Sequence, residues 1–124
     1  MPVFSLRNQY NSFCSAARGL RYIFKSELNF RIQILISIAV LVPALYFPLR
    51  SWELILLILL IVAVLIMEIL NTTFEYLSDL LKPRLHHYVQ IIKDIMAGAV
   101  LLTSLGAAII GILIFYPHFM TLLK

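Results

Sequence analysis

Residues 54–67 read LILLILLIVAVLIM, an unbroken apolar run, and residues 68–79, EILNTTFEYLSD, follow it directly. The run is shorter than the roughly 20 residues that a helix needs to cross a bilayer, so the helix must extend beyond it. A helical pattern begins near Ser51 and continues to Leu81, and Pro83 stops it because proline lacks a backbone N–H. We therefore predict a helix over residues 51–81 that crosses a membrane and protrudes from it by its last turns.

The composition indicates that lipid is the main solvent of this chain. Of the 124 residues, 62% are hydrophobic and 13% are charged, whereas soluble domains have about half and a quarter. Further apolar segments predict spans over about residues 28–47 and 91–116, and residues 5–26 predict an amphipathic helix on the membrane surface. The expected fold is an all-α membrane protein in which residues 1–124 form one domain, without a secretory signal peptide.

The predicted surface helix has an apolar stripe and a basic face. The stripe comprises Phe13, Ala17, Leu20 and Phe24, and the basic face comprises Arg18, Arg21 and Lys25. A membrane anchor is one interpretation of this pattern. A second interpretation adds a contact between the basic face, with Arg18 as the candidate, and a bound phosphate.

Positive residues are concentrated on one side of the predicted membrane. Eight of the ten lysines and arginines lie in the N-terminal segment or around the loop after span two, and only Arg50 and Lys124 lie on the other side. Because cytoplasmic segments carry an excess of positive residues, we expect a cytoplasmic N-terminus and an external C-terminus. The net charge of +4 suits anionic lipid or a polyphosphate, and no nucleic-acid partner is expected.

The polar residues of the central helix form one stripe. At 100° per residue they cover roughly 100° of its surface, and they are Glu68, Asn71, Thr72, Glu75 and Asp79. The solvated face of a protruding helix explains Asp79 well. It explains Glu68 poorly, because an ionisable group directly after an apolar run lies near lipid, where it is costly and commonly functional.

Carboxylate and amide oxygens favour a hard cation, above all Mg²⁺, which binds few protein ligands together with substrate phosphates. Glu27, at the start of the first span, reaches the same depth from a different helix, and Lys93 in the third span supplies a positive charge there. His86 and His87 have no third ligand for zinc, and the sequence has no glycine-rich nucleotide loop. We predict a magnesium site, not a zinc site.

The third span has a face of small residues that it shares with Lys93. These residues are Ala97, Ser104, Ala108 and Gly111. Small residues allow close packing between helices, which is one interpretation. The other is that they leave room for a lipid chain.

Three sequence blocks resemble the small bacterial membrane diacylglycerol kinase and undecaprenol kinase family. Residues 68–79 match its E-x-x-N-[ST]-x-x-E-x-x-x-D pattern. Downstream, His86 and residues 93–100, KDIMAGAV, resemble its second block, and upstream Gly19-Leu20 and residues 27–31, ELNFR, resemble its first. The likeness covers nearly the whole chain in order, although Gln90, Ile91 and Ile92 depart from the small or basic residues usual before the Lys-Asp pair.

The resemblance implies a homotrimer in the bacterial inner membrane that transfers the γ-phosphate of ATP to a lipid alcohol at the cytoplasmic surface. It implies that Glu68 is the general base and that Glu27 and Glu75 hold Mg²⁺ with ATP. The remaining implied contacts, which orient or neutralise the phosphates, are Asn71, Asp79, Lys93 and Asp94. Phosphoryl transfer depends on positioning and charge neutralisation, so this set of residues suits it.

Several alternatives stay open at this point. Undecaprenol is slightly favoured over diacylglycerol as the substrate, because the Asn-Thr pair and the KDxxAGAV block look more like that branch. A small proton- or ion-coupled transporter is a more remote alternative, which would need carboxylates near the bilayer midplane. A non-catalytic relative of the same fold is supported only by the departure at Ile91 and Ile92.

Overall fold

The computed structural model describes residues 5–124, which form four helices. They are α1 (Leu6–Ser26), α2 (Leu28–Tyr46), α3 (Ser51–Leu81) and α4 (His86–Leu123). The last three are long and apolar enough to cross a membrane. The predicted all-helical fold with three candidate spans is therefore confirmed.

A single residue joins the first two helices. Glu27 has an extended backbone, with φ −114° and ψ 112°, so it ends α1 and begins α2. Its backbone N–H donates to the carbonyl of Ile23 at 2.9 Å, which closes the last turn of α1. Ile23 and Phe30, on either side of this corner, are both buried. The corner is therefore a packed junction and not a flexible linker.

Helices α3 and α4 form an antiparallel hairpin whose connection is residues 82–85. This pair makes the most extensive helix contact, and α2 packs on α3 beside it. Ser78, near the end of α3, and Val89, near the start of α4, are each only 1% exposed. We call the end of the bundle that contains these residues and Glu27 the loop end, and the opposite end the far end.

A small core and one polar pair hold the far end together. Ala44, Leu57 and Ile114, one from each long helix, form its buried apolar cluster. Beside them, Nε2 of His118 lies 3.2 Å from Oε1 of Glu53, which is itself only 8% exposed. This contact joins the start of α3 to the last turns of α4, so the hairpin is held at both of its ends.

Helix α4 differs from its sequence prediction at both ends. It begins at His86, before the predicted span of residues 91–116, and it passes through Pro117 to Leu123. Proline removes one backbone hydrogen bond from a helix interior. The helix nevertheless continues for six residues beyond Pro117. The hydroxyl of Thr121 donates to the carbonyl of Pro117 at 2.9 Å in this extension.

Most apolar side chains of the long helices point away from the bundle. Leu35 of α2 is 68% exposed and Leu102 of α4 is 74% exposed. Water would oppose such a surface, whereas lipid chains or other membrane helices would cover it. The distribution of apolar side chains thus agrees with helices that lie in a bilayer.

An apolar cavity of about 380 Å³ lies between the three long helices. Its wall includes Gln33 and Ser37 of α2, Val64 of α3, and Ser104 and Gly111 of α4. A Cβ atom added to Gly111 would meet no other atom within 4 Å. Within the described chain, this part of the small-residue face therefore borders open space and not a close helix contact.

Candidate active site

The polar stripe of α3 lies at the loop end and becomes more exposed towards Leu81. Glu68 is 7% exposed and Thr72 is 5% exposed, Asn71 and Glu75 are half-buried, and Asp79 is exposed. The Nδ2 atom of Asn71 lies 3.5 Å from Oε1 of Glu75, one turn along the helix. A buried carboxyl at the base of this stripe and an exposed one at its tip suit different chemical roles.

Three carboxylates from two parts of the chain converge on this region. Glu27 comes from the corner between α1 and α2, and Glu68 and Glu75 come from α3. Glu75 lies about two turns after Glu68 on the same helix, and the corner that holds Glu27 lies at the same end of the bundle. Like charges gathered in this way favour the binding of a cation, which would offset their repulsion.

These donors fit a magnesium ion bound with phosphate. Mg²⁺ commonly binds through one or two carboxylates and takes its remaining ligands from water and substrate phosphates. Within residues 5–124, no three Asp, Glu, His or Cys side chains approach closely enough to enclose a metal alone. Mg²⁺ needs only one or two carboxylate ligands from the protein, and the half-buried side chains of Glu27 and Glu75 provide that number.

Asp79 lies between two lysines at the rim of the site. Its Oδ1 atom is 3.4 Å from Nζ of Lys93 on α4 and 3.9 Å from Nζ of Lys82 in the loop. The contact with Lys93 crosses between helices and orients that ammonium group towards the stripe of α3. The ammonium group of Lys93 is thus held beside the exposed tip of the stripe of α3.

Asp94 and Arg18 are predicted site residues that the structure places apart from the carboxylates. Gln90 donates from Nε2 to Oδ1 of Asp94 at 3.1 Å, and Asp94 is exposed. Arg18 lies on the exposed surface of α1, where its guanidinium donates to Oγ of Ser15 at 3.0 Å. Among the described residues, neither side chain forms an ion pair with the stripe of α3.

Two contacts at this end were not expected from the sequence. Nη1 of Arg31 donates to the carbonyl oxygens of Phe24 and Lys25, at 2.9 and 2.8 Å. The rings of Tyr22 and Tyr76 meet with centroids 6.2 Å apart, which joins α1 to α3. The position of Arg31, four residues after the helix junction, is the only feature of the sequence that hints at its contact with α1. Nothing in the sequence near Tyr22 or Tyr76 indicates that their rings meet.

Most of the chain, including the segment that carries these polar groups, matches a known family of proteins. The model of the prokaryotic diacylglycerol kinase family matches residues 14–115. The chain belongs to this family. The match includes every predicted site residue, from the surface helix to the Lys-Asp pair of α4.

Two curated relatives extend this finding. The undecaprenol kinase of Bacillus subtilis (strain 168) is 34% identical over 112 residues, which cover 90% of this chain and 91% of the relative. The diacylglycerol kinase of Synechocystis sp. (strain ATCC 27184 / PCC 6803 / Kazusa) is 35% identical over 113 residues, which cover 90% of this chain but only 65% of that relative. The prediction of a lipid kinase is confirmed, and the transporter alternative gains no support.

Proposed function

We propose that this kinase transfers the γ-phosphoryl group of ATP to the hydroxyl of a membrane lipid alcohol, with undecaprenol slightly favoured over diacylglycerol. The placement of Glu27, Glu68 and Glu75 together at the loop end carries this proposal, because phosphoryl transfer needs a base and metal-binding carboxylates near one another. Phosphorylation of diacylglycerol to phosphatidic acid is the alternative reaction of the same site.

Glu68 is the proposed general base. It is the most buried carboxyl of the stripe and lies next to the apolar run, where a lipid hydroxyl is found. The lipid oxygen forms a bond to the γ-phosphorus as the bond from that phosphorus to the bridging oxygen of ATP breaks. Glu68 accepts the hydroxyl proton, and ADP leaves.

Glu27 and Glu75 are the proposed ligands of Mg²⁺, which neutralises phosphate charge when bound with ATP. Asn71 contacts Glu75 and is proposed to orient the phosphates with it. The ammonium of Lys93, steadied by Asp79, is proposed to bind the transferred phosphate. Arg18 and Asp94 are proposed to contact the nucleotide from the exposed sides of α1 and α4.

We place the site on the cytoplasmic side of the bacterial inner membrane, with α1 on the membrane surface. The excess of lysine and arginine at the loop end supports this orientation. A homotrimer is the proposed assembly. The exposed apolar surfaces of α2 and α4 support it, because neighbouring copies would cover part of them and enclose the open site.

The cavity between the long helices is the proposed site for part of the lipid tail. Its wall is almost entirely apolar, and it extends from Gln33, near the loop end, to Phe115 at the far end. A long polyprenol would use more of this length than a short chain. The alignment also covers 91% of the Bacillus undecaprenol kinase but only 65% of the Synechocystis diacylglycerol kinase, which agrees with the proposed preference for undecaprenol.

The decisive experiment follows phosphate transfer from γ-labelled ATP, with Mg²⁺, to undecaprenol and to diacylglycerol in matched mixed micelles. We expect strong labelling of undecaprenol and weaker labelling of diacylglycerol. The reverse order would assign the alternative substrate. Labelling of neither lipid by folded protein would contradict the proposed function.

A further inference from the structure

The corner between α1 and α2 places a proposed metal ligand at a backbone joint. Glu27 is the only residue between the two helices, and its side chain makes no capping hydrogen bond to the start of α2. The direction of its carboxylate therefore depends on the angle at which the two helices meet. Whatever fixes that angle also fixes the position of the carboxylate.

Arg31 links the two helices across this joint. It lies in the first turn of α2, where its backbone N–H donates to the carbonyl of Glu27 at 3.3 Å. Its side chain turns back to α1, and Nη1 donates to the carbonyl oxygens of Phe24 and Lys25 at 2.9 and 2.8 Å. Arg31 thus contacts the chain on both sides of Glu27.

The chemistry of this contact is favourable for two reasons. The last carbonyls of a helix have no partner within the helix, and the guanidinium supplies one. The C-terminal end of a helix also carries partial negative charge, which a cation stabilises. Because one nitrogen holds two carbonyls, a change in the helix angle would lengthen at least one hydrogen bond.

We propose that Arg31 is a positioning residue for Glu27 and so sets the affinity of the site for its divalent cation. This inference rests on the proposed function of Glu27 as a metal ligand. Residues that orient a metal ligand typically change metal affinity by about 10- to 100-fold when they are removed. Arg31 itself contacts α1 and is not placed among the groups that meet the phosphates.

The test compares Arg31→Met, Glu27→Gln and the double variant in full-length protein. Binding of Mn²⁺ in the presence of a non-hydrolysable ATP analogue is measured by the loss of the free Mn²⁺ signal in electron paramagnetic resonance. The Mg²⁺ concentration for half-maximal phosphotransfer is measured in parallel. Arg7→Met, which removes a cation from the exposed first turn of α1, is the matched control.

We expect Arg31→Met to weaken Mn²⁺ binding and raise the half-maximal Mg²⁺ concentration by about tenfold, with most of kcat retained at saturating Mg²⁺. In the Glu27→Gln background, the same change should add little, because Arg31 acts through that carboxylate. Arg7→Met should leave both quantities near the wild-type values. Arg31→Lys should restore most of the affinity, because an ammonium can also donate to both carbonyls.

The outcomes separate this inference from the function on which it rests. If Glu27→Gln weakens Mn²⁺ binding but Arg31→Met does not, or if the two effects simply add, the role of Arg31 is wrong and the metal site stands. If Glu27→Gln leaves Mn²⁺ binding unchanged, both the metal assignment and the inference fail. An Arg31→Lys protein that binds Mn²⁺ about tenfold more weakly than the wild type would also overturn the inference, and this comparison can be made even where Arg31→Met does not fold.

Discussion

Glu53 and His118 join the far ends of α3 and α4 through a contact of 3.2 Å between residues that are 65 positions apart. The backbone N–H of Arg50 donates to the same carboxylate oxygen at 2.9 Å, and the ring of Phe47 lies beside the imidazole. The carboxylate therefore closes the start of α3 and anchors the end of α4 at the same time. The open end of the hairpin is held by this side chain together with the apolar cluster of Ala44, Leu57 and Ile114.

Replacing either partner should destabilise the folded protein. We expect His118→Phe and Glu53→Gln each to lower Tm by a few degrees, because the first leaves the poorly exposed carboxylate of Glu53 without its imidazole partner and the second removes the charge from that hydrogen bond. Thermal unfolding in one detergent would measure this. The double variant should lose less than the sum of the two. His87→Phe, an exposed histidine at the loop end, is the control, and a Tm loss as large as that of His118→Phe would contradict the assignment.

Glu68→Gln should abolish phosphotransfer while the protein remains folded. General-base catalysis contributes about 10²- to 10⁴-fold, so we expect kcat to fall by at least 100-fold. The assay is transfer of labelled phosphate to the lipid, with circular dichroism to check the helices. Glu53→Gln, at the opposite end of the same helix, should keep its kcat at temperatures below its Tm. Full activity of Glu68→Gln would show that another group accepts the proton.

Lys93→Met should weaken the use of ATP. A hydrogen bond to a charged group contributes about 1.5–3 kcal/mol, which corresponds to roughly a 10- to 160-fold rise in KM for ATP. Lys82→Met is a matched control, because Lys82 contacts the same Asp79 oxygen at the longer distance of 3.9 Å. We expect the smaller effect for Lys82. Equal effects would indicate that the lysines act only through general positive charge.

Gly111→Leu should impair the use of lipids with long tails by filling the cavity. Gly106→Leu is the matched control, because a Cβ atom at either glycine meets no atom within 4 Å but only Gly111 lines the cavity. Steady-state kinetics with long and short prenols would compare the two variants. We expect KM for the long prenol to rise only in Gly111→Leu. A similar rise in both variants would point to altered helix packing in the assembly.

Local patterns in the sequence were sufficient to predict much of this molecule. The apolar run and the stripe that begins at Glu68 predicted the central helix, and Pro83 indicated where it ends, because these signals act within a few residues. The ends of the fourth helix were harder to predict. The helix continues past Pro117, although a proline in a helical pattern usually marks a kink or an end.

The missed contacts depend on distances that a sequence does not contain. Glu53 meets His118 only because the hairpin returns α4 to the start of α3. Arg31 caps α1 only because the chain turns at one residue, Glu27. Glu27, Glu68 and Glu75 were separate candidates in the sequence, and the fold places the corner at Glu27 at the same end of the bundle as the stripe of α3.

The length of α3 has a consequence for where the reaction takes place. At 1.5 Å per residue, Glu68 lies about 26 Å along the axis from Ser51 and Asp79 about 42 Å, whereas the hydrocarbon of a bilayer is about 30 Å thick. Where Ser51 lies at one face of the hydrocarbon, Glu68 lies about 4 Å inside the opposite face and Asp79 about 12 Å beyond it. A thicker bilayer would place the Glu68 carboxyl deeper in the hydrocarbon, and a thinner one would lift it away from the lipid hydroxyl. Membrane thickness therefore becomes part of the geometry of the site.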